Sequence, residues 1–358
     1  MDSFNNSGGV DFKKIWDDAV AALGHTTIIV TGKTGVGKST LINAVFHKDV
    51  AETGVGKPIT KGIKEYSAED FPLSIIDTIG LELENFETIK VNLIEEITKR
   101  GKETDYNKHV NVCWYCINDG SSRIESAEIL FLTELAKYVK IVVVLTQAYD
   151  KEDCRLLNEI EKQLYDISDI KVVKVVAQTK FGVPSYGLDK LAEITEALLP
   201  EAQKTAFANA QKVSIGLKVK RAHCVVAGSA VTAGGIGASP IPFSDAILLV
   251  PTQIGMLAGI SAVMGLDFQD GFFKTLIAST LGPSALTLGG KAIVSGLLKL
   301  IPGIGSVAGG VISGTTAVAL TTALGEAYIK VLEKMLVNNS KITPEGISEA
   351  MKEEWKKR

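Results

Sequence analysis

The run Gly32-Lys33-Thr34-Gly35-Val36-Gly37-Lys38-Ser39 limits what this chain can fold into more than any other stretch. It follows Thr26–Thr31, a short apolar run rich in β-branched residues, and leads into Thr40-Leu-Ile-Asn-Ala-Val-Phe46, which reads as a helix. A strand that turns through glycines into a helix gathers backbone N–H groups around one point. It also sets the positive end of the helix there, which makes a phosphate site. Lys38 is placed to reach the β and γ phosphates and the Ser39 hydroxyl to ligate Mg²⁺, with the backbone from Gly32 to Thr40 as the cradle. The lookalike Thr53-Gly-Val-Gly-Lys57 has Ala51 for the leading glycine and Pro58 at the hydroxyl position. Proline cannot donate and disrupts a helix interior, so this segment reads as a loop.

Beyond the motif, β-rich runs alternate with helical patterns through the first half of the chain, which argues for an α/β domain with a mainly parallel sheet. Strands are expected at Thr26–Thr31, Leu73–Asp77, Val110–Ile117, Lys140–Thr146 and Lys171–Val176. Helices are expected at Ser39–Phe46, Asn85–Thr98, Ser126–Lys137 and Arg155–Tyr165. Phe12, Ile15, Trp16, Ala19, Val20 and Leu23 recur at helical spacing, so an amphipathic N-terminal helix needs a partner for its stripe. The segment from Gly187 to Lys220 reads as a helix closing this domain and a helical connector.

Composition changes near Arg221. Only eight of the 109 residues from Ala222 to Lys330 are charged, against 22% for the whole chain, and 18 of the 34 glycines lie there. The expected division is 1–24 as a helix packing with the helical domain, 25–203 as the nucleotide domain and 204–358 as an apolar, glycine-rich helical domain. A net charge of −3 supplies no basic field, which ranks a nucleic-acid partner low. Met1 to Lys14 is polar, so no secretory signal is expected and the N-terminus is placed in the cytosol. There the cysteines stay reduced. Cys113 and Cys116 sit three apart on an expected strand, on opposite faces, and read as core residues.

Two further segments complete the phosphate site. Lys57-Pro-Ile-Thr60-Lys-Gly62 falls where a P-loop GTPase places the threonine that closes over Mg²⁺ and the γ-phosphate. Thr60 is the candidate and Thr53 the competing choice. Phe71-Pro-Leu-Ser-Ile-Ile76 leads into Asp77-Thr-Ile-Gly80: Asp77 would hold Mg²⁺ through water, and the Gly80 N–H would report the γ-phosphate.

Together GxxxxGKS, the loop threonine and DTIG resemble the Era-like and septin-like branch of the translation-factor-class GTPases. Ile79 departs from the proline of DTPG. Leu81 stands where Ras-like enzymes keep a water-orienting glutamine, which implies slow unassisted turnover. In this class guanine is read by [NT]KxD. Here Thr146-Gln147-Ala148-Tyr149-Asp150 has glutamine for lysine and its aspartate one residue late: either the loop bulges to deliver Asp150, the residue favoured here, or guanine is read differently. Ala177 and Gln178 resemble the last base-contacting motif. Pro240-Ile-Pro242-Phe-Ser-Asp245, Gln253-Ile-Gly-Met256 and Ile301-Pro-Gly-Ile-Gly305 resemble the YcjF-like helical domain behind bacterial Era-like domains. More broadly, the chain is similar to the immunity-related GTPases, whose N- and C-terminal helices form one helical domain.

The resemblance implies a GTP- and GDP-binding hydrolase using Mg²⁺, with self-association through the GTPase domain. Ala246–Leu266 and Leu300–Gly325 are uncharged over 21 and 26 residues, long enough to span a bilayer, yet threaded with Gly, Ser, Thr and Pro. A soluble bundle, with Asp245 and Gln253 as caps or interhelical hydrogen-bond groups, and hairpins flanked by Asp245 and Lys299 at a bilayer therefore both stay open. Lys352, Lys356, Lys357 and Arg358 read as a solvated helix end, with contact to anionic lipid as the alternative. The corresponding location is cytoplasmic, or at the inner face of a membrane. Two other functions stay open: an ATP-using hydrolase, and a membrane-associated interaction module with little turnover.

Overall fold

The computed structural model describes residues 11–47, 57–60, 62–67, 71–78, 86–121, 123–167, 170–237, 245–266, 272, 275–276 and 314–356. Thr53, Gly80, Leu81 and the segments Pro240–Ser244 and Ile301–Gly305 lie outside them. The chain forms two compact units, Gly24–Ser214 and Met1–Leu23 with Ile215–Arg358. The helix Glu201–Ala210 falls in the first unit, which moves the boundary from 203/204 to 214/215.

The first unit is a seven-stranded sheet: β1 (Thr26–Gly32), β2 (Lys57–Thr60), β3 (Ile63–Ser67), β4 (Leu73–Thr78), β5 (Val112–Asn118), β6 (Lys140–Thr146) and β7 (Ile170–Lys174). Their order is β2-β3-β4-β1-β5-β6-β7. From β4 to β7 all pairs are parallel, while β2 and β3 add antiparallel at one edge. The stretch from Lys57 to Thr60, read from sequence as loop, is thus the edge strand. Pro58 is tolerated because β2 has a neighbour on one side only, and Gly62, at φ +90°, makes the tight turn into β3.

β1 is flanked by parallel strands and covered on both faces, so every residue in it is buried and the strand reads as one continuous apolar run. One face of the sheet, with Ile29, Ile76, Cys113, Tyr115, Val143 and Leu145, packs under three helices. These are α3 (Phe86–Arg100), α4 (Ser126–Leu135) and α5 (Arg155–Gln163). Arg100 clamps α3 to β3 through two bonds to Glu65 (3.0 and 2.7 Å) and one to Glu96 (2.7 Å). On the other face Trp114 stacks on Phe46 at 5.6 Å and donates to the Thr195 hydroxyl at 3.0 Å. Phe46 closes α2 (Lys38–Val45), and Thr195 lies on α6 (Leu188–Leu198). Phe207, on α7 (Glu201–Ala210), meets Phe46 edge-on. Cys113 and Cys116 are buried and unbridged, and burial pushes the Cys116 thiol up to about 12.

The second unit is helical: α1 (Phe12–Ala21), α8 (Ile215–Gly237), α9 (Asp245–Val263), α10 (Gly314–Val337) and α11 (Pro344–Lys356). Its core joins Ile15, Val226, Met256, Leu257, Leu324, Tyr328 and Ile347, with Phe12, Trp16 and Ala19 packed against it, so the α1 stripe has its partner here. Small residues set the helix spacing: a β-carbon on Gly325 would lie 2.5 Å from Val226 Cγ2 and 3.0 Å from Met256 Sδ. Ser261 and Tyr328 share a buried hydroxyl contact of 2.8 Å. Gln253, expected as a hydrogen-bonding or capping group, is buried, and its Oε1 has no partner among the described residues. Among the described residues no helix is long and apolar enough to cross a membrane. Gly325→Ala is expected to lower the stability of the helical unit by about 1–3 kcal/mol, since overpacking outweighs alanine's helix propensity. Urea melts read the loss, and Val226→Ala in the same chain should restore part of it.

Candidate functional site

The glycine loop is built by one close approach. At the end of β1, Gly32 has φ +138° and its backbone passes so near β5 that a β-carbon would sit 2.3 Å from the Cys116 carbonyl oxygen. Gly35 (φ +76°) and Gly37 (φ +97°) hold the left-handed turns that only glycine adopts without cost, and Gly37 caps α2. The first helical bond of α2 runs from Leu41 N–H to Gly37 O at 2.9 Å, so the preceding amides face out of the helix N-terminus. Lys38 opens that helix and curls back, its Nζ donating to the carbonyls of Gly32 (3.0 Å) and Lys33 (3.1 Å). The ammonium is thereby held over the loop, beside an exposed Ser39 and a half-buried Thr40.

Lys33 turns away from the loop. Its Nζ meets Glu125 at 2.7 Å and Glu128 at 3.3 Å, and Tyr115 donates to Glu128 at 2.9 Å. Burial pulls the Lys33 ammonium down, but the two carboxylates outweigh it and hold it above its ordinary value. Lys33 thus anchors the loop to α4, and its side chain is turned away from the glycine turn. The signal for Glu125 and Glu128 was their capping-box spacing at the start of α4, where Glu128 bonds the Glu125 N–H at 3.1 Å.

Asp77, the next-to-last residue of β4, has a buried Oδ1 with no hydrogen-bond partner among the described residues. Burial raises its pKa, opposed by the Lys38 ammonium. A desolvated carboxylate oxygen without a donor is costly unless it is protonated or a cation completes it, so the Asp77 carboxylate is an oxygen ligand of the kind that fits Mg²⁺. The hydroxyls of Thr31 and Thr78 meet at 2.7 Å and tie the ends of β1 and β4 together beside it. Thr60 ends β2, paired in register with Ile63.

On the far side of the loop, the Thr146 hydroxyl at the end of β6 lies 2.6 Å from Val36 O and 3.1 Å from Ile117 O. Gln147 follows in the left-handed region (φ +54°), its Nε2 3.4 Å from Gly35 O. The Asp150 carboxylate accepts from the N–H groups of Glu152 (3.0 Å) and Asp153 (3.3 Å), closing a turn. Ala177 is half-buried and Gln178 exposed, just past Val176, which pairs with Tyr186.

Sequence reasoning passed over Lys174. Its Nζ donates to the carbonyls of Asp150 and Asp153, both at 2.6 Å, and stands 3.4 Å from Asp119 Oδ2. Burial raises the Asp119 carboxyl, and Lys174 opposes it. Tyr186 adds a bond from its hydroxyl to Ala148 O at 2.5 Å. A lysine at the end of a strand gives no sign in sequence of which carbonyls it will bind.

Residues 27–176 match the family model described as 50S ribosome-binding GTPase. Septin-8 of Xenopus tropicalis is 24% identical over 218 residues, covering 55% of this chain and 49% of that protein. The tRNA modification GTPase MnmE of Prochlorococcus marinus is 29% identical over 147 residues, 40% of this chain and 30% of that protein. The chain therefore spans less than half the length of these relatives. A solved structure, a probable GTP-binding protein engB, aligns at 22% identity with a TM-score of 0.35 over 48% of this chain and 98% of that one. With the family match over the strand, loop and helix described above, the first unit has a GTPase fold, a mostly parallel sheet with flanking helices.

The raised pKa of Asp77 has a sign that can be tested. Its carboxyl holds a proton more tightly in the folded chain than in the unfolded one, so ionising it opposes folding. The penalty is absent at acid pH and complete once pH exceeds the raised value. Asp77→Asn should therefore melt above wild type at pH 7.5 without Mg²⁺, with the gap closing toward pH 4. The variant should gain less than wild type from Mg²⁺ and GTP. A variant less stable at pH 7.5 would overturn the reading of this carboxylate.

Proposed function

We propose that this protein is a GTP-binding, GTP-hydrolysing switch whose helical unit is its effector. The observation that carries the reading is the juxtaposition, over one glycine loop, of the Lys38 ammonium held by loop carbonyls and the unpartnered carboxylate oxygen of Asp77. Lys38 and the outward-facing amides at the start of α2 supply positive charge where the outer phosphates gain negative charge during transfer to water. Asp77 and the Ser39 hydroxyl would hold Mg²⁺, with Thr60 as the candidate from β2. The bound ion would neutralise charge between the β and γ phosphates. The Gly80 N–H would sense the γ-phosphate. Leu81 in the glutamine position leaves the attacking water to backbone or partner groups, which supports slow turnover.

The base loops would follow β6 and β7, with Thr146, Gln147, Ala177 and Gln178 as candidates for contact, while Asp150, the aspartate favoured from sequence, has its carboxylate turned to the amides of Glu152 and Asp153. The likeness of the second unit to the YcjF-like domain and to the immunity-related GTPases rests on the quoted motifs and on α1 packing with the C-terminal helices. In this reading the nucleotide state sets contacts with another copy or with lipid at the inner face of a membrane.

Single-turnover hydrolysis with excess dilute protein should proceed on the order of 10⁻² s⁻¹ or slower. Lys38→Ala should abolish it and weaken triphosphate binding by about 100-fold or more, a loss of about 2.7 kcal/mol. Fast turnover by dilute wild type contradicts the slow-switch reading, and retained affinity in the variant contradicts the site. Phosphate release with and without liposomes separates a membrane-coupled switch from a binding module with little turnover.

A further inference from the structure

In and beside the loop that should read the base, Asp150, Asp153 and Asp119 each have a carboxylate oxygen engaged by the protein. Thr146 sets the register: its hydroxyl is anchored on Val36 O and Ile117 O, at the end of β6 and against the phosphate loop. Counted from that anchor, the four positions of the guanine-reading pattern are Thr146, Gln147, Ala148 and Tyr149. Gln147 occupies the lysine position and reaches the phosphate loop through Gly35 O. Tyr149 occupies the aspartate position, half-buried, with its ring edge-on to Phe181 at 5.1 Å. A phenol stands where this class places its anion.

Three of the four neighbouring carboxylates are engaged by the protein. Asp150, one residue later, spends Oδ1 on the N–H groups of Glu152 and Asp153, and its carbonyl is gripped by Lys174 at 2.6 Å. A bulge that swung Asp150 into the aspartate position would break these three bonds. Asp153 is paired with Arg155 through Nε (2.9 Å) and Nη2 (2.7 Å), which holds its carboxyl well below the usual range. Asp119 faces the buried Lys174 ammonium. Glu152, on the same turn, is exposed. A carboxylate gives guanine its advantage by accepting from both N1–H and the 2-amino group in charge-assisted bonds. Neutral phenol and amide groups supply no such paired acceptor.

We infer that this site reads the base through neutral groups, with Gln147 and Tyr149 as its specificity-determining residues, so that the guanine 2-amino group contributes little. Hypoxanthine and guanine nucleotides then bind alike. The inference rests on the nucleotide-binding reading above and adds to it the class of base accepted.

The test is competition of GDP, IDP and ADP against a fluorescent GDP analogue on the full chain with Mg²⁺. GDP and IDP are expected within about threefold of each other, because deleting the 2-amino group removes no charge-assisted bond. Tyr149→Asp should create a preference for GDP over IDP of about tenfold or more. Asp150→Asn and Glu152→Gln should leave the wild-type ratio unchanged. A wild-type preference for GDP over IDP beyond about 30-fold, lost in either of those two variants, overturns the proposal in favour of a carboxylate reader. The wild-type ratio decides even if the Tyr149 variant fails to fold. Failure of all three nucleotides to displace the probe sinks the nucleotide reading itself, and this inference with it. Tight binding with a large GDP preference sinks the inference alone.

Discussion

The close passage of Gly32 against the Cys116 carbonyl is the constraint on which the GTPase domain depends. With no β-carbon at that point, the end of β1 comes close enough to β5 for the loop to begin its turn. From there Gly35 and Gly37 carry the chain round into α2, and the turn places Lys38 where its ammonium can bond two loop carbonyls. Because β1 also pairs with β4 in parallel, Asp77 arrives beside the same loop: Val30 is its register partner. The Lys38 ammonium, at the start of the helix that follows β1, and the Asp77 carboxylate, near the end of β4, thus come from adjacent parts of the sheet.

Much of this was legible because it depends on local chemistry. A continuous apolar run at Thr26–Thr31 signals a strand covered on both faces, and the glycine spacing signals the turn. Cys113 and Cys116 were separable by strand alternation alone. The edge hairpin was not legible: Pro58 argues against a strand unless the strand is known to have one neighbour, and only the sheet order reveals that. The position of Asp77 could be read, but its unpartnered oxygen and raised pKa arise from burial, which sequence does not display.

The loop after β6 shows the same limit more sharply. In sequence, Asp150 is an aspartate close to the expected place and Lys174 is an ordinary charged residue at a strand end. In the folded domain Lys174 fixes the carbonyls of Asp150 and Asp153, and the Asp150 carboxylate turns to the amides that follow it. Polar groups take the partners that geometry offers, and sequence does not show that Lys174 would hold these two carbonyls. In the helical unit, by contrast, the amphipathic spacing of Phe12, Ile15, Trp16 and Ala19 was a sound guide, because an apolar stripe must be buried somewhere.

The central claim is that one loop binds a triphosphate together with a divalent ion held by Asp77 and Ser39. Isothermal titration of the full chain with a non-hydrolysable GTP analogue, in Mg²⁺ and in EDTA, tests it most directly. The account predicts one site per chain and affinity at least about tenfold tighter with Mg²⁺, since the ion offsets charge that Lys38 alone does not. Equal affinity in both buffers, or no binding at millimolar analogue, would contradict it.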